Sequence, residues 1–141
     1  MSWTRETMKQ DIPRLEAYLR KVFGARTLVV RAVPGGKTAE VLAGPRRLGL
    51  IVADDEDGET TYHFEWTIKE TPQPFSTQEL VRVQTFLREI LGTKTLSVRA
   101  RGRLKDSAEV FVGDESIAIV SADKDAYQFQ MAILDIDLED L

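Results

Sequence analysis

The chain has 141 residues, 43% hydrophobic and 30% charged, a composition that supports one packed core and excludes collagen-like, mucin-like and disordered classes. It has no cysteine and one histidine, so disulfide frameworks, thiolate nucleophiles, cysteine zinc sites and two-histidine metal motifs fall away. The net charge of −4 sits in the last seven residues, because residues 1–70 hold eleven cations and eleven anions and residues 71–134 hold eight of each; the balanced body has no general field toward nucleic acid, which is not an expected partner.

In chain order, the amino-terminal residues carry no apolar stretch of the secretory kind, and the longest apolar run, Leu48–Ala53, is far short of a membrane span. A cytoplasmic location without a membrane partner is expected. Ile12, Leu15, Leu19, Val22 and Phe23 follow the rhythm of one buried helical face, with Asp11 as cap, Pro13 in the opening turn and Gly24 as the left-handed stop. The period then changes to two. Leu28, Val30 and Ala32 share a face with Ala39, Val41 and Ala43, then Leu48, Leu50 and Val52, then Tyr62, Phe64, Trp66 and Ile68.

Tight turns set a register. Pro34-Gly35-Gly36-Lys37 reads as a two-residue hairpin loop, which places Ala32 opposite Ala39, Val30 opposite Val41 and Arg31 opposite Glu40. Gly44-Pro45 places Val41 opposite Leu48. Lys69–Phe75, with Pro72 and Pro74, reads as a linker. Beyond it Leu80, Val83, Leu87, Ile90 and Leu91 form a second helical face that opens on a capping box, Ser76 to Glu79, and stops at Gly92. Further turns place Arg99 opposite Glu109, Val110 opposite Ile117, and Ile119 opposite Phe129.

The chain is written twice. Leu19-Arg20, Gly24, Thr27-Leu28 and Val30-Arg31-Ala32 recur 68 residues later as Leu87-Arg88, Gly92, Thr95-Leu96 and Val98-Arg99-Ala100. Ala39-Glu40-Val41 and Gly44 recur 69 later as Ala108-Glu109-Val110 and Gly113, and Tyr62 and Phe64 recur 65 later as Tyr127 and Phe129. The expected fold is α+β: two tandem copies of a helix followed by a four-stranded antiparallel meander, over residues 1–70 and 71–141, in one cooperative pseudo-twofold unit.

Lys105–Glu115 (KDSAEVFVGDE) and Tyr127–Asp140 (YQFQMAILDIDLED) resemble a family of short bacterial proteins known as a domain of unknown function. Leu15–Gly24 and Asp54–Phe64 resemble the same pattern in the first copy. Members of that family hold one copy, so the resemblance implies a unit that pairs with itself and, here, a fused dimer. It brings no activity, cofactor or catalytic residue.

The candidate sites favour plain readings. His63, between Tyr62 and Phe64, reads as a solvent-facing strand residue, since Gln128 stands at its repeat position. Asp54–Glu59 is acidic but fails the EF-hand pattern, because with Gly58 as the invariant glycine the first and last ligand positions are Ala53 and Phe64. Arg99, Arg101, Arg103 and Lys105, with Arg31, Arg46 and Arg47, lack the interleaved aromatics of a single-strand platform. No metal, cofactor or catalytic group is expected. The second face of the strands is the stronger candidate. Val29, Arg31, Glu40, Leu42 and Ile51 in the first copy, with Arg99, Glu109, Phe111 and Val120 in the second, mix apolar residues with a repeated Arg–Glu pair. Such a face suits packing between the copies or association with a protein partner. A non-enzymatic association module is the preferred expectation. A small-molecule-binding or weakly enzymatic domain with a pocket between the copies is the alternative.

Overall fold

The structure, a computed structural model, describes residues 5–34, 38–56 and 59–139. The chain runs α1 (Arg5–Phe23), β1 (Leu28–Ala32), β2 (Thr38–Ala43), β3 (Arg46–Glu56) and β4 (Glu59–Ile68). It continues through α2 (Thr77–Leu91), β5 (Leu96–Ala100), β6 (Ser107–Val112), β7 (Glu115–Asp123) and β8 (Ala126–Leu134) to a short α3 (Asp135–Glu139). The class is α+β, as expected. All eight strands form one antiparallel sheet, in the order β1-β2-β3-β4-β8-β7-β6-β5.

The helices form where the apolar rhythm places them. Leu15, Leu19 and Phe23 of α1, and Val83, Leu87 and Leu91 of α2, are buried. Gly24 and Gly92 end the helices at φ values of 63° and 70°, a left-handed conformation that glycine adopts without penalty. The start of α1 differs from expectation. The helix begins at Arg5 and encloses Pro13, and Asp11 accepts a hydrogen bond from the Tyr62 hydroxyl. At α2 the Ser76 hydroxyl accepts from the Glu79 N–H at 3.2 Å, one half of the expected capping box. The other half is missing, because the Glu79 carboxylate turns to Arg82 and Tyr127.

The outer hairpins have the predicted register: Ala32 faces Ala39, Val30 faces Val41, Arg31 faces Glu40, and Arg99 faces Glu109. The loop itself, 35–37, lies outside the described residues, as do 57 and 58 of the acidic hairpin. One strand further in, the register departs from expectation in both copies. Val41 pairs with Gly49 and Leu42 with Arg47; Val110 pairs with Ala118 and Phe111 with Ser116. Each third strand therefore carries one extra residue, Leu48 or Ile117, in a β-bulge. A single added residue reverses every side chain beyond it. Ile51 and Val120, expected on the second face, are fully buried under the helices opposite Phe64 and Phe129. Leu50, Val52 and Ile119 take their place outside.

The second correction concerns how the copies meet. They join edge to edge, β4 to β8, from Thr61↔Leu134 to Ile68↔Tyr127, and their second faces lie side by side on one surface. The physical reason lies in the edges. At β1, Glu16 accepts from the Val30 N–H at 3.0 Å and Arg20 donates to the Leu28 carbonyl at 2.7 Å. At β5, Gln84 and Arg88 repeat both bonds on Val98 and Leu96 at the same distances. Helix side chains thus occupy backbone groups along the outer edges, where a further strand would otherwise add. The inner edges pair with each other. Aromatic rings span the seam on the helix side: Phe64 and Trp66 each lie 5.6 Å from Phe129.

This continuity predicts a single unfolding transition. Each copy alone is too small to be securely stable and would expose an unpaired inner edge. Urea curves followed by tryptophan fluorescence and by far-UV circular dichroism should coincide. Two separated transitions would refute cooperativity between the copies.

Candidate association face

All the large side chains on one side of the sheet are covered by helices. Tyr62 bonds to Asp11 of α1, Tyr127 to Glu79 of α2, and Trp66 stacks 6.1 Å from Phe86. The opposite side has no covering element among the described residues. Across it the register aligns one row of residues over eight strands: Arg31, Glu40, Leu50, Glu65, Gln130, Ile119, Glu109 and Arg99. The row reads nearly the same from either end. Its pseudo-twofold passes between Glu65 and Gln130, where the copies meet.

Of the nine residues expected on this face, seven are there: Val29, Arg31, Glu40, Leu42, Arg99, Glu109 and Phe111. The two halves treat their charges differently. Glu40 is bridged by Arg31 and, at 3.2 Å, by Arg47. Arg99 faces Glu109 across the strands, but its guanidinium lies 4.2 Å above the Phe111 ring and donates to the Gly113 carbonyl. Glu109 accepts instead from the Ser116 hydroxyl at 2.8 Å. The cause is chemical: Ser116 stands where the first copy has Arg47, and Phe111 stands where it has Leu42. A cation over an aromatic face is attracted by the ring quadrupole.

Arg99 and Glu109 thus face each other across the strands without forming an ion pair. Both arginines on Glu40 are more than half exposed, which limits what even a bridged carboxylate contributes. Glu40→Ala should cost about 1 kcal/mol and Glu109→Ala about half that or less. Urea unfolding of the two variants measures the difference. Equal costs would show that the second arginine at Glu40 adds nothing.

At the centre of the face, His63 and Glu65 from the first copy and Ser116, Ile117, Ile119, Gln130 and Ala132 from the second surround an open hollow of about 390 Å³. His63 lies 3.8 Å from Asp54, and both are well exposed. The arrangement can offer hydrogen bonds and a carboxylate to a small polar group. Among the described residues no group of three or more His, Asp or Glu side chains converges to hold a metal.

Sequence reasoning missed a polar network on the helix side. In the second copy the Tyr127 hydroxyl accepts from the Gln73 N–H at 2.8 Å and donates to Glu79, which also holds Arg82 through two bonds of 2.7 and 2.8 Å. In the first copy Tyr62 donates to Asp11, which pairs with Arg14 at 3.5 Å. Asp11, Arg14 and Tyr62 occupy the repeat positions of Glu79, Arg82 and Tyr127. The signal was present in the repeat, as a carboxylate, an arginine three residues on, and a tyrosine in the fourth strand.

No helix among the described residues is long and apolar enough to cross a membrane. No curated protein and no solved structure matches the chain. One family does, twice in succession, over residues 11–72 and 79–137, and each match runs from within a long helix through the strands that follow it. The chain is therefore a tandem member of the family described as "Protein of unknown function (DUF3126)".

Proposed function

We propose that this protein is a non-enzymatic association module, a fused dimer of two helix-plus-four-stranded-meander units that presents its uncovered sheet face to a protein partner. The observation that carries this reading is the face itself. Leu42, Leu50, Val52, Phe111 and Ile119 lie on or beside a row that crosses all eight strands without interruption. A sheet with water outside has no need of them. The arginines at both ends of the row suit a polar rim, with Leu50 and Ile119 flanking the polar pair Glu65 and Gln130 at its middle. The balanced charge of the body speaks against a nucleic-acid ligand, and a cytoplasmic setting fits the absence of cysteine.

The test is site-specific photocrosslinking in the cells that make the protein. A crosslinker at Val52 or Ile119 should yield one discrete protein adduct. The same group at Val81, exposed on α2, should yield none. No adduct at either face position, or equal adducts at all three, would overturn the reading. A second reading, a small-molecule site between the copies, is favoured by the hollow at the pseudo-twofold, to which both copies contribute. It requires that a polar metabolite shift amide resonances of His63, Glu65 and Gln130 together.

A further inference from the structure

The pseudo-twofold relates the two ends of the sheet, and their charges are opposite. At one end, where β3 begins and β4 ends, a groove of about 430 Å³ opens. Arg46, Arg47 and Lys69 line it over Leu48, Trp66 and Phe86. Arg47 is held by Glu40, and the groove's own carboxylate, Glu70, is held by Arg82 at 2.8 Å. Arg46 and Lys69 are exposed and have no ion-pair partner among the described residues.

At the other end, where β7 begins and β8 ends, the repeat positions carry the reverse. Glu115 replaces Arg46, Leu134 replaces Lys69, and α3 adds Asp135, Ile136 and Asp137. Leu134 and Ile136 are 48% and 61% exposed, two of the five large exposed apolar residues among the described residues. The acidic groups converge there. Burial first, then Asp137 and Glu115, push the Tyr18 phenol up to about 12. One end is thus an apolar hollow ringed by cations, and the other an apolar knob ringed by anions.

We propose that the occupant of the Arg46–Lys69 groove is the Glu115/Leu134–Asp137 knob of a second copy of this chain, in a head-to-tail contact. β4 and β8 run antiparallel, so their carboxy-terminal ends, and with them groove and knob, lie at opposite ends of the sheet. The contact is heterologous, and each copy seated leaves a free groove and a free knob. The interface rests on charge complementarity, and salt weakens it. It shares only Arg47 with the uncovered face and uses none of its hollow, so it stands or falls apart from the proposed function.

Sedimentation of the intact chain tests this. At about 0.05 M salt the average mass should rise with protein concentration past that of a dimer; at about 0.5 M salt it should return to monomer. Arg46→Glu with Lys69→Glu removes the groove, and Glu115→Gln with Ile136→Asn removes the knob without giving it a positive charge that the reversed groove could bind. All four sites are exposed, and circular dichroism checks that the variants fold. Each double variant alone should stay monomeric. Mixed, they should form a 1:1 dimer and stop there, since one supplies a knob and the other a groove. A wild-type chain that remains monomeric at low salt overturns the proposal, as do variants that associate like wild type or a mixture that stays monomeric. Phe111→Asp, on the uncovered face, should leave the association unchanged.

Discussion

Gly49→Ala should destabilise the protein by about 3 kcal/mol, more than any other single methyl group added to the strands. Gly49 lies in β3 beside the bulge at Leu48. A Cβ there would stand 2.1 Å from the Glu65 carbonyl oxygen and 2.9 Å from Trp66 Cα, closer than atoms can approach. The obstacle is backbone, so no rotamer change relieves it. To admit the methyl group, β4 must move, and β4 is the strand that joins the copies. For a chain of this size the loss corresponds to a fall of about 10 °C in Tm. The repeat position in the second copy is Ala118, so the requirement is local to the first copy and no rule of the repeat foretells it. A Tm within a degree of wild type would show that β4 yields freely.

The second large effect is expected at Glu79. Its carboxylate is 8% exposed and joins Arg82 on its own helix to Tyr127 on β8. Glu79→Ala removes the acceptor from the Tyr127 hydroxyl and leaves Arg82 with Glu70 alone. A fully buried pair broken in this way costs about 3–5 kcal/mol. Arg82 is 45% exposed, and water can replace part of what it loses. About 2 kcal/mol is therefore the expected cost, with Tyr127→Phe about half as much.

The same network sets a pH dependence. The Arg82 guanidinium, foremost, and the Tyr127 hydroxyl hold the Glu79 carboxyl below its usual range, against the effect of burial. A carboxyl depressed in the folded state binds its proton more readily when unfolded. Its contribution is complete above the ordinary carboxylate pKa, about 4.3, and disappears as pH falls through the lower folded value. Tyr127 runs the other way. Burial, chiefly, raises its phenol, so its contribution is complete below about pH 10 and is lost as pH rises through the folded value. Denaturant unfolding at pH 7 and pH 3 measures the acid limb. Glu79→Gln should lose less stability between those values than wild type does; an equal loss would assign the acid limb to other carboxylates.

Local features were legible in the sequence, because local forces set them. The helical faces, the glycine stops and the register of the outer hairpins depend on residues close in the chain, and the repeat supplied each of them twice. The pairing of Arg31 with Glu40 followed from turn length, and that of Arg99 with Glu109 from the repeat. What the tertiary structure decided depends on contacts that no short window contains. A glycine marks the bulge in the first copy only, Gly49 where the second has Ala118, yet in both copies the added residue, Leu48 or Ile117, moves Ile51 and Val120 into the core and brings Leu50 and Ile119 to the surface. Tyr62 meets Asp11 across 51 residues, and Tyr127 meets Glu79 across 48, so the matched positions in the repeat acquire meaning only once helix and sheet are packed. The union of the copies is the largest such decision. Alternating apolar residues permit a sheet to stack on another sheet or to extend itself, and both outcomes bury apolar surface. The choice fell to the edges: helix side chains bond to backbone groups of β1 and β5, whereas β4 and β8 satisfy each other's backbone groups from Thr61↔Leu134 to Ile68↔Tyr127, with Asp135 accepting from the Thr60 N–H just beyond.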